Sequence, residues 1–182
     1  MKIGKWEKVK TKKCYEFGKY YSVIVDEVIT PGGKKGEYSV IRMNPYSIII
    51  PIDEFGKVYF VKQHRYPTNN FTLELPMGNT DGEDALSAAK RELEEEVGLI
   101  SDEWKKIGKI NEANGVGEIT GIVYLAKNVR SARNPKKDLL DENLFEIKKF
   151  SLDEIKQMIV DEKIEDAATI SAMAKFLFSN NF

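Results

Sequence analysis

Three consecutive isoleucines, Ile48, Ile49 and Ile50, constrain the fold of this chain more than any other feature. Side chains along a strand point alternately to its two faces, so an unbroken apolar run indicates a strand buried on both. The chain has 182 residues, of which 42% are hydrophobic and 31% are charged, which is sufficient for a globular core. We therefore expect roughly one globular domain, with room for an appendage.

Charge and composition exclude several classes of protein. The 28 Lys and Arg residues are balanced by 29 Asp and Glu, which argues against a broad nucleic-acid-binding surface. The single cysteine, Cys14, excludes an internal disulfide framework, and the single histidine, His64, excludes a histidine-rich metal site. The lysine-rich N-terminus lacks a following apolar segment, and the longest apolar stretch is too short to cross a bilayer. We expect a cytoplasmic protein without a nucleic-acid or membrane partner.

Extended segments lie before and after one central helical segment, which predicts a mixed α/β fold. Strands are expected over 20–30, 38–43, 46–52, 57–63, 71–75, 104–110, 118–126 and 144–150. The first two strands flank a Pro-Gly-Gly turn and predict a hairpin, and the next two predict a second hairpin across 53–56. Loops are expected over 77–83 and 127–142.

Three helices are expected, and capping residues mark their ends. The central one covers 84–97 and is followed by Gly98, the residue type favoured just past a helix end. A second helix begins at Ser151, which forms a capping box with Glu154, and a third covers 166–178.

Glutamates converge on one side of the central helix. A wheel of about 100° per residue places Glu92, Glu95 and Glu96 together, beside an apolar stripe, and Glu94 on the other side. These carboxylates repel one another and oppose the negative end of the helix dipole, although Arg91 offsets part of this through Glu95. A divalent cation would remove most of the penalty, and carboxylate ligands favour Mg²⁺ or Mn²⁺. The helix taken alone is better explained by a solvated acidic face.

The segment from Gly78 to Leu99 resembles the Nudix box, whose pattern is Gly, five residues, Glu, seven residues, Arg-Glu-apolar-x-Glu-Glu-x-Gly-apolar. Every specified position from Glu83 onward matches, including the seven-residue gap to Arg91. The first glycine of the pattern falls on Met77, so Gly78 comes one residue late and the loop is one residue short.

Segments outside the box resemble the ADP-ribose pyrophosphatase and nucleotide-sugar hydrolase subfamily. They are Gln63-His64-Arg65-Tyr66, Leu73-Glu74-Leu75-Pro76, Asn114-Gly115-Val116-Gly117-Glu118 and Glu165-Asp166-Ala-Ala-Thr169. The resemblance implies a Nudix-type α/β/α sandwich with a mixed central sheet at 45–182. It also implies an N-terminal β extension at 1–44 that helps to form a homodimer.

The resemblance implies a role for each matched position. The catalytic residues would be Glu118, Arg91 and Glu95. The ligands of Mg²⁺, or Mn²⁺, would be Glu92, Glu95 and Glu96, together with a backbone carbonyl near Met77 or Gly78. Glu83, Gly78 and Gly98 would support the site. Glu112 stays open as an alternative general base to Glu118.

Substrate contacts are also implied, with plainer alternatives beside them. Arg65 would clamp phosphate, or is an ordinary surface arginine, and Glu74 would contact ribose or base, or only support its loop. The tyrosines at 20, 21 and 38 would stack on a nucleobase, or are sheet residues. His64 is expected to be a strand-end residue and Cys14 an inert thiol.

The implied reaction is Mg²⁺-dependent hydrolysis of the pyrophosphate bond in a nucleoside diphosphate linked to another moiety. ADP-ribose, giving AMP and ribose 5-phosphate, or a related nucleotide sugar is the expected substrate. Other nucleotide substrates stay open, as does a nucleotide sensor of the same fold without turnover. The plainest alternative is an α/β domain with a glutamate-rich helix.

Overall fold

The computed structural model describes residues 4–132 and 144–179. The strands are β1 (Glu7–Phe17), β2 (Tyr21–Ile29), β3 (Lys35–Met43), β4 (Tyr46–Pro51), β5 (Val58–Arg65), β6 (Asn70–Glu74), β7 (Met77–Asn79), β8 (Leu99–Ile100), β9 (Glu103–Glu112), β10 (Gly117–Lys127), β11 (Arg130–Ser131) and β12 (Leu144–Phe150). The helices are α1 (Ala85–Glu92), which a π-helical turn at Leu93–Val97 extends, α2 (Leu152–Val160) and α3 (Ala167–Phe178).

The described chain forms two compact units. The first unit contains residues up to Asn44 together with Asn111–Thr120, and the second contains Pro45–Ile110 and the residues from Gly121 onward. The domain boundary drawn from the sequence at 44/45 stays a prediction.

The first unit is built on an antiparallel meander of β1, β2 and β3. The expected hairpin between β2 and β3 is confirmed by a continuous register from Tyr21 opposite Met43 to Ile29 opposite Lys35. The first residues of β10 add to this sheet in parallel, with Glu118 opposite Arg42.

The second unit is a sandwich whose central strand is β4. Its side chains alternate, so that Ile48 and Ile50 enter one core cluster while Ile49 enters another. The first cluster contains buried residues of α2 and α3, such as Ile155 and Met173, and the second contains residues of α1 and its π-turn. Burial of β4 on both faces and the α/β/α architecture are therefore confirmed.

Two expectations about the surroundings of β4 are wrong. The segments 46–52 and 57–63 do not form a hairpin beyond a single bridge between Ile52 and Val58. The hydrogen-bonding edges of β4 are taken by β10, which runs parallel to it, and by β7, while β5 lies between β12 and β6. The segment 77–83 is not entirely a loop, because its first three residues form β7 against β4.

The ends of the helices follow their capping residues as expected. The Asp84 carboxylate accepts the N–H groups of Leu86 and Ser87 at 3.0 and 3.1 Å, and Gly98 ends the π-turn in the left-handed conformation, with φ of 70°. The capping box of Ser151 and Glu154 is present. The expected polar loop 127–142 contains the short strand β11, which pairs with β8, and its residues 133–142 lie outside the described residues. No helix in the described ranges combines the length and the apolar character that a bilayer crossing requires.

Candidate active site

The helix that carries the glutamates is fixed to the core of the second unit at both ends. Ser47, buried in β4, donates its hydroxyl to the carbonyl of Ala85 at 2.6 Å and so holds the first turn. Leu93 and Val97 anchor the π-turn in the core cluster. The π-turn is a departure from the expected regular helix, and such turns occur frequently at functional sites.

The guanidinium of Arg91 joins three of the predicted site carboxylates. Its Nε donates to Glu83 at 3.0 Å, and one terminal nitrogen donates to Glu92 at 2.7 Å and to Glu95 at 3.0 Å. The other terminal nitrogen donates to the backbone carbonyl of Asn79 at 3.0 Å. Partial burial acts to lower the pKa of Arg91, but the hydrogen bonds to these carboxylates outweigh it and raise the pKa above its usual value. Arg91 therefore stays charged and orients the cluster.

The third candidate metal ligand, Glu96, lies on the core side of the same turn. It is only 8% exposed, and its carboxylate accepts the backbone N–H of Met77 at 2.9 Å. The sequence pointed to a carbonyl near Met77, whereas this contact uses the amide of that residue. A buried carboxylate needs such a donor, so the contact fixes Glu96.

Gly78 lies directly against the glutamate cluster. A Cβ atom at this position would lie 2.1 Å from the carboxyl carbon of Glu92, far inside van der Waals contact. Glycine at 78, one residue later than the family pattern places it, thus leaves the space that the Glu92 carboxylate occupies.

The donor set suits a hard divalent cation, although its side chains are not gathered around one point. Glu92, Glu95 and Glu96 offer only carboxylate oxygens, which is the chemistry that Mg²⁺ and Mn²⁺ prefer. Within residues 4–132 and 144–179, no three acidic, histidine or cysteine side chains converge as a metal-ligand group. Arg91 instead provides the positive charge between Glu92 and Glu95.

Arg65 and Glu74, predicted as substrate contacts, bind each other. The guanidinium forks onto the carboxylate at 2.9 and 2.6 Å, while Gln63 and Thr72 donate to the same carboxylate at 3.1 and 2.6 Å. Glu74 is 2% exposed, so this geometry favours the supporting role that the sequence left open. The bond to Glu74 raises the pKa of Arg65, with smaller contributions from the charges of Asp166 and Glu96.

Glu118 belongs to the first unit. Arg42 donates to its carboxylate at 2.5 Å, and this hydrogen bond lowers the pKa of Glu118 below its usual value. Glu118 lines a cavity of about 300 Å³ in that unit, beside Tyr38 and Trp6, whose rings meet edge to face at 5.1 Å. Glu112, the alternative base, is in the same unit.

The remaining predicted aromatic and polar residues have ordinary surroundings. Tyr20 and Tyr21 are exposed near the turn between β1 and β2, where Tyr21 stacks on Phe17. His64 lies near the end of β5 and contacts Asn69 at 3.3 Å. Cys14 is an exposed free thiol.

Several residues that hold the site were not identified as such from the sequence. They are Ser47, Gln63, Thr72, Asn79 and Thr169. Each is an isolated polar residue whose partner is set by tertiary packing, so no spacing rule identifies it. A polar residue within an otherwise apolar strand was the available signal for Ser47, and Gln63 and Thr169 lie in segments that carry the family resemblance.

Comparisons with known proteins identify the family of this chain. The family described as NUDIX domain matches residues 43–171. The chain is 27% identical over 168 residues to an ADP-ribose pyrophosphatase of Bacillus subtilis strain 168, covering 92% of this chain and 90% of that protein. It is 28% identical over 174 residues to a methanol dehydrogenase activator of Bacillus methanolicus, covering 94% and 92%.

A solved structure described as an ADP compounds hydrolase superposes with a TM-score of 0.79 at 17% identity, covering 97% of this chain and 95% of the other. That likeness establishes the fold. The chain belongs to the Nudix family, and it is a Nudix hydrolase.

Proposed function

We propose that this protein hydrolyses the pyrophosphate bond of ADP-ribose, or of a related nucleotide sugar, with water, giving AMP and ribose 5-phosphate from ADP-ribose. The observation that carries the proposal is the arrangement of Arg91 on the carboxylates of Glu83, Glu92 and Glu95. The similarity to an ADP-ribose pyrophosphatase over nearly the whole of both chains supports the choice of substrate.

We infer that Glu92, Glu95 and Glu96 hold Mg²⁺, which Mn²⁺ can replace, with a backbone carbonyl near Met77 as a further ligand. A bound divalent ion neutralises the diphosphate and orients the attacking water. Arg91 and Glu83 keep the carboxylates oriented, and the Met77 amide does the same for Glu96. Gly78 supports the site because it leaves space for the Glu92 carboxylate, and Gly98 supports it because it ends the π-turn.

Glu118 is the proposed general base. As a carboxylate it can accept the proton of the attacking water, and the hydrogen bond from Arg42 holds it in one orientation. Arg65 is the proposed phosphate clamp: Glu74 engages two of its nitrogens, and a guanidinium has five N–H donors in all.

The substrate proposal is tested with a panel of nucleoside diphosphate derivatives, incubated with purified protein in Mg²⁺ or EDTA and resolved by anion-exchange chromatography. ADP-ribose should yield AMP and ribose 5-phosphate in Mg²⁺ only. Glu96→Gln should abolish turnover without lowering the melting temperature in EDTA. Glu94→Gln removes the same charge from the same turn and should retain turnover. Inactivity across the whole panel would contradict the proposal.

The base is tested by comparing two variants in the same assay. Glu118→Gln should lower kcat by about a hundredfold or more, whereas Glu112→Gln should leave it nearly unchanged. The reverse result would assign the base to Glu112.

A second candidate function is nucleotide-dependent activation of a dehydrogenase without turnover of the nucleotide. The similarity to a methanol dehydrogenase activator, which covers 94% of this chain, favours it. Saturable binding of a nucleotide without products, together with a higher rate of added methanol dehydrogenase, would support this function instead. A homodimer and a cytoplasmic location remain part of our proposal.

A further inference from the structure

A buried threonine on the last helix is hydrogen-bonded to the backbone segment that leads into the glutamate site. Thr169 is fully buried in α3, and its Oγ1 accepts the backbone N–H of Leu75 at 3.0 Å. Its own backbone N–H is bound by Asp166, the N-cap residue of α3, at 2.7 Å. The threonine is therefore held by its helix on one side and holds Leu75 on the other.

The segment that follows Leu75 reaches Glu96 within two residues. The carbonyl of Pro76 accepts the N–H of Ile49 in β4 at 2.9 Å, and the N–H of Met77 donates to Glu96 at 2.9 Å. The position of the Met77 amide is thus set by two backbone anchors, one on Thr169 and one on β4.

We propose that Thr169 is a positioning residue for Glu96, acting through the backbone from Leu75 to Met77. This inference rests on the proposed function only in that Glu96 is taken as a metal ligand. Loss of the Thr169 acceptor leaves the buried N–H of Leu75 without its partner, so the segment shifts to satisfy it and the Met77 amide moves with it. The hydrogen bond from the Met77 amide to Glu96 is then weakened.

The experiment measures Mn²⁺ affinity by electron paramagnetic resonance in the absence of substrate, alongside kcat and the melting temperature in EDTA. Thr169→Val keeps the shape of the side chain and removes the hydrogen-bond acceptor. It should weaken Mn²⁺ binding about tenfold, which is the smaller of the losses of affinity seen when residues that orient metal ligands are changed. Thr169→Ser keeps the hydroxyl and should restore wild-type affinity. Thr169→Cys keeps a weak acceptor, so its affinity should lie between the two, and it replaces the valine variant if that one does not fold.

The matched control is Ile155→Val, a loss of packing in the same core on α2. Ile155 has no polar side-chain atom and is fully buried, so its shortening should lower the melting temperature and leave Mn²⁺ affinity unchanged. A purely structural role for Thr169 predicts that the valine variant behaves as Ile155→Val does, and that result would overturn the inference. The inference would also fail if the wild-type protein did not bind Mn²⁺.

Failure of this inference is distinguishable from failure of the proposed function. Hydrolysis of ADP-ribose by a Thr169→Val protein with wild-type Mn²⁺ affinity rejects the positioning role alone. If Thr169→Ser restores Mn²⁺ affinity but the wild-type protein cleaves no member of the panel, the positioning role is supported and the proposed substrate is rejected.

Discussion

At the scale of single residues, the candidate site is organised around the guanidinium of Arg91. Arg91 offsets repulsion between Glu92 and Glu95 and draws Glu83 towards the helix, while the Met77 amide satisfies Glu96. A lysine at 91 would keep the charge but lose the fork that reaches several acceptors at once.

Gly78 offers a direct test of this packing. Alanine at 78 would place a methyl group where the Glu92 carboxyl lies, and the end of that flexible side chain would move aside. We expect Gly78→Ala to keep a melting temperature near that of the wild type in EDTA, while Mg²⁺-dependent turnover falls about tenfold to a hundredfold.

The matched control is Gly115→Ala, because a Cβ at that glycine meets open space. Kinetics at several Mg²⁺ concentrations, together with scanning fluorimetry, separate the two effects. An unchanged Mg²⁺ dependence in Gly78→Ala would show that the position of Glu92 does not matter for metal binding.

At the scale of elements, the sequence predicted the features that depend on neighbouring residues. It did not predict the features that depend on residues far away along the chain. The helix from Asp84 to Gly98 was predictable because its cap, its apolar spacing and its terminal glycine are all local. The π-turn was not predictable, because the spacing of Leu93 and Val97 also fits a regular α-helical turn. The false hairpin around Ile52 arose because strand pairing depends on β10, which lies far along the chain.

The same distinction applies to the candidate site. The glutamates and Arg91 follow from helical spacing and the family pattern. The buried acceptor that Thr169 provides for Leu75 could not be predicted, because it exists only once α3 packs against that segment. The engagement of Arg65 by Glu74 likewise needs the register of β5 against β6.

The capping box of α2 gives a prediction at this scale. Hydrogen bonds from the side chain and backbone N–H of Ser151, and then from Lys57, lower the pKa of Glu154 from its ordinary 4.5 to about 2. A carboxyl whose pKa is lower in the folded state stabilises that state fully above about pH 4.5. This contribution is lost as the pH falls towards about 2.

We therefore expect Glu154→Gln to be less stable than the wild type at pH 7, and the difference between them to shrink between pH 4.5 and pH 2. Urea denaturation at several pH values measures it. Asp153→Asn removes the same charge from the same turn without breaking the capping box, so it controls for net charge. A difference that stayed constant down to pH 2 would contradict the assignment of the lowered pKa to Glu154.

At the scale of the whole molecule, the exposed surface of the first unit carries the proposal of a homodimer. Cross-strand partners share a face of a sheet, and the register places Tyr15, Phe17, Tyr21 and Ile41 on one face of the β1–β3 meander. All four are more than a third exposed. An apolar patch of this kind is typical of a protein–protein contact, and a second copy of the chain would cover it with the same patch.

Charge placed in this patch should dissociate the dimer. We expect Ile41→Lys to cost about 2 kcal/mol of association free energy, roughly a thirtyfold increase in the dimer dissociation constant. Size-exclusion chromatography with light scattering should show the wild type at twice the monomer mass of 20.8 kDa and the variant shifting towards that mass on dilution. Phe55→Lys, at an exposed apolar position of the second unit, should remain a dimer. If the wild type eluted as a monomer, or if both variants dissociated alike, the meander face would not be the interface, and its exposed aromatic side chains would need another partner.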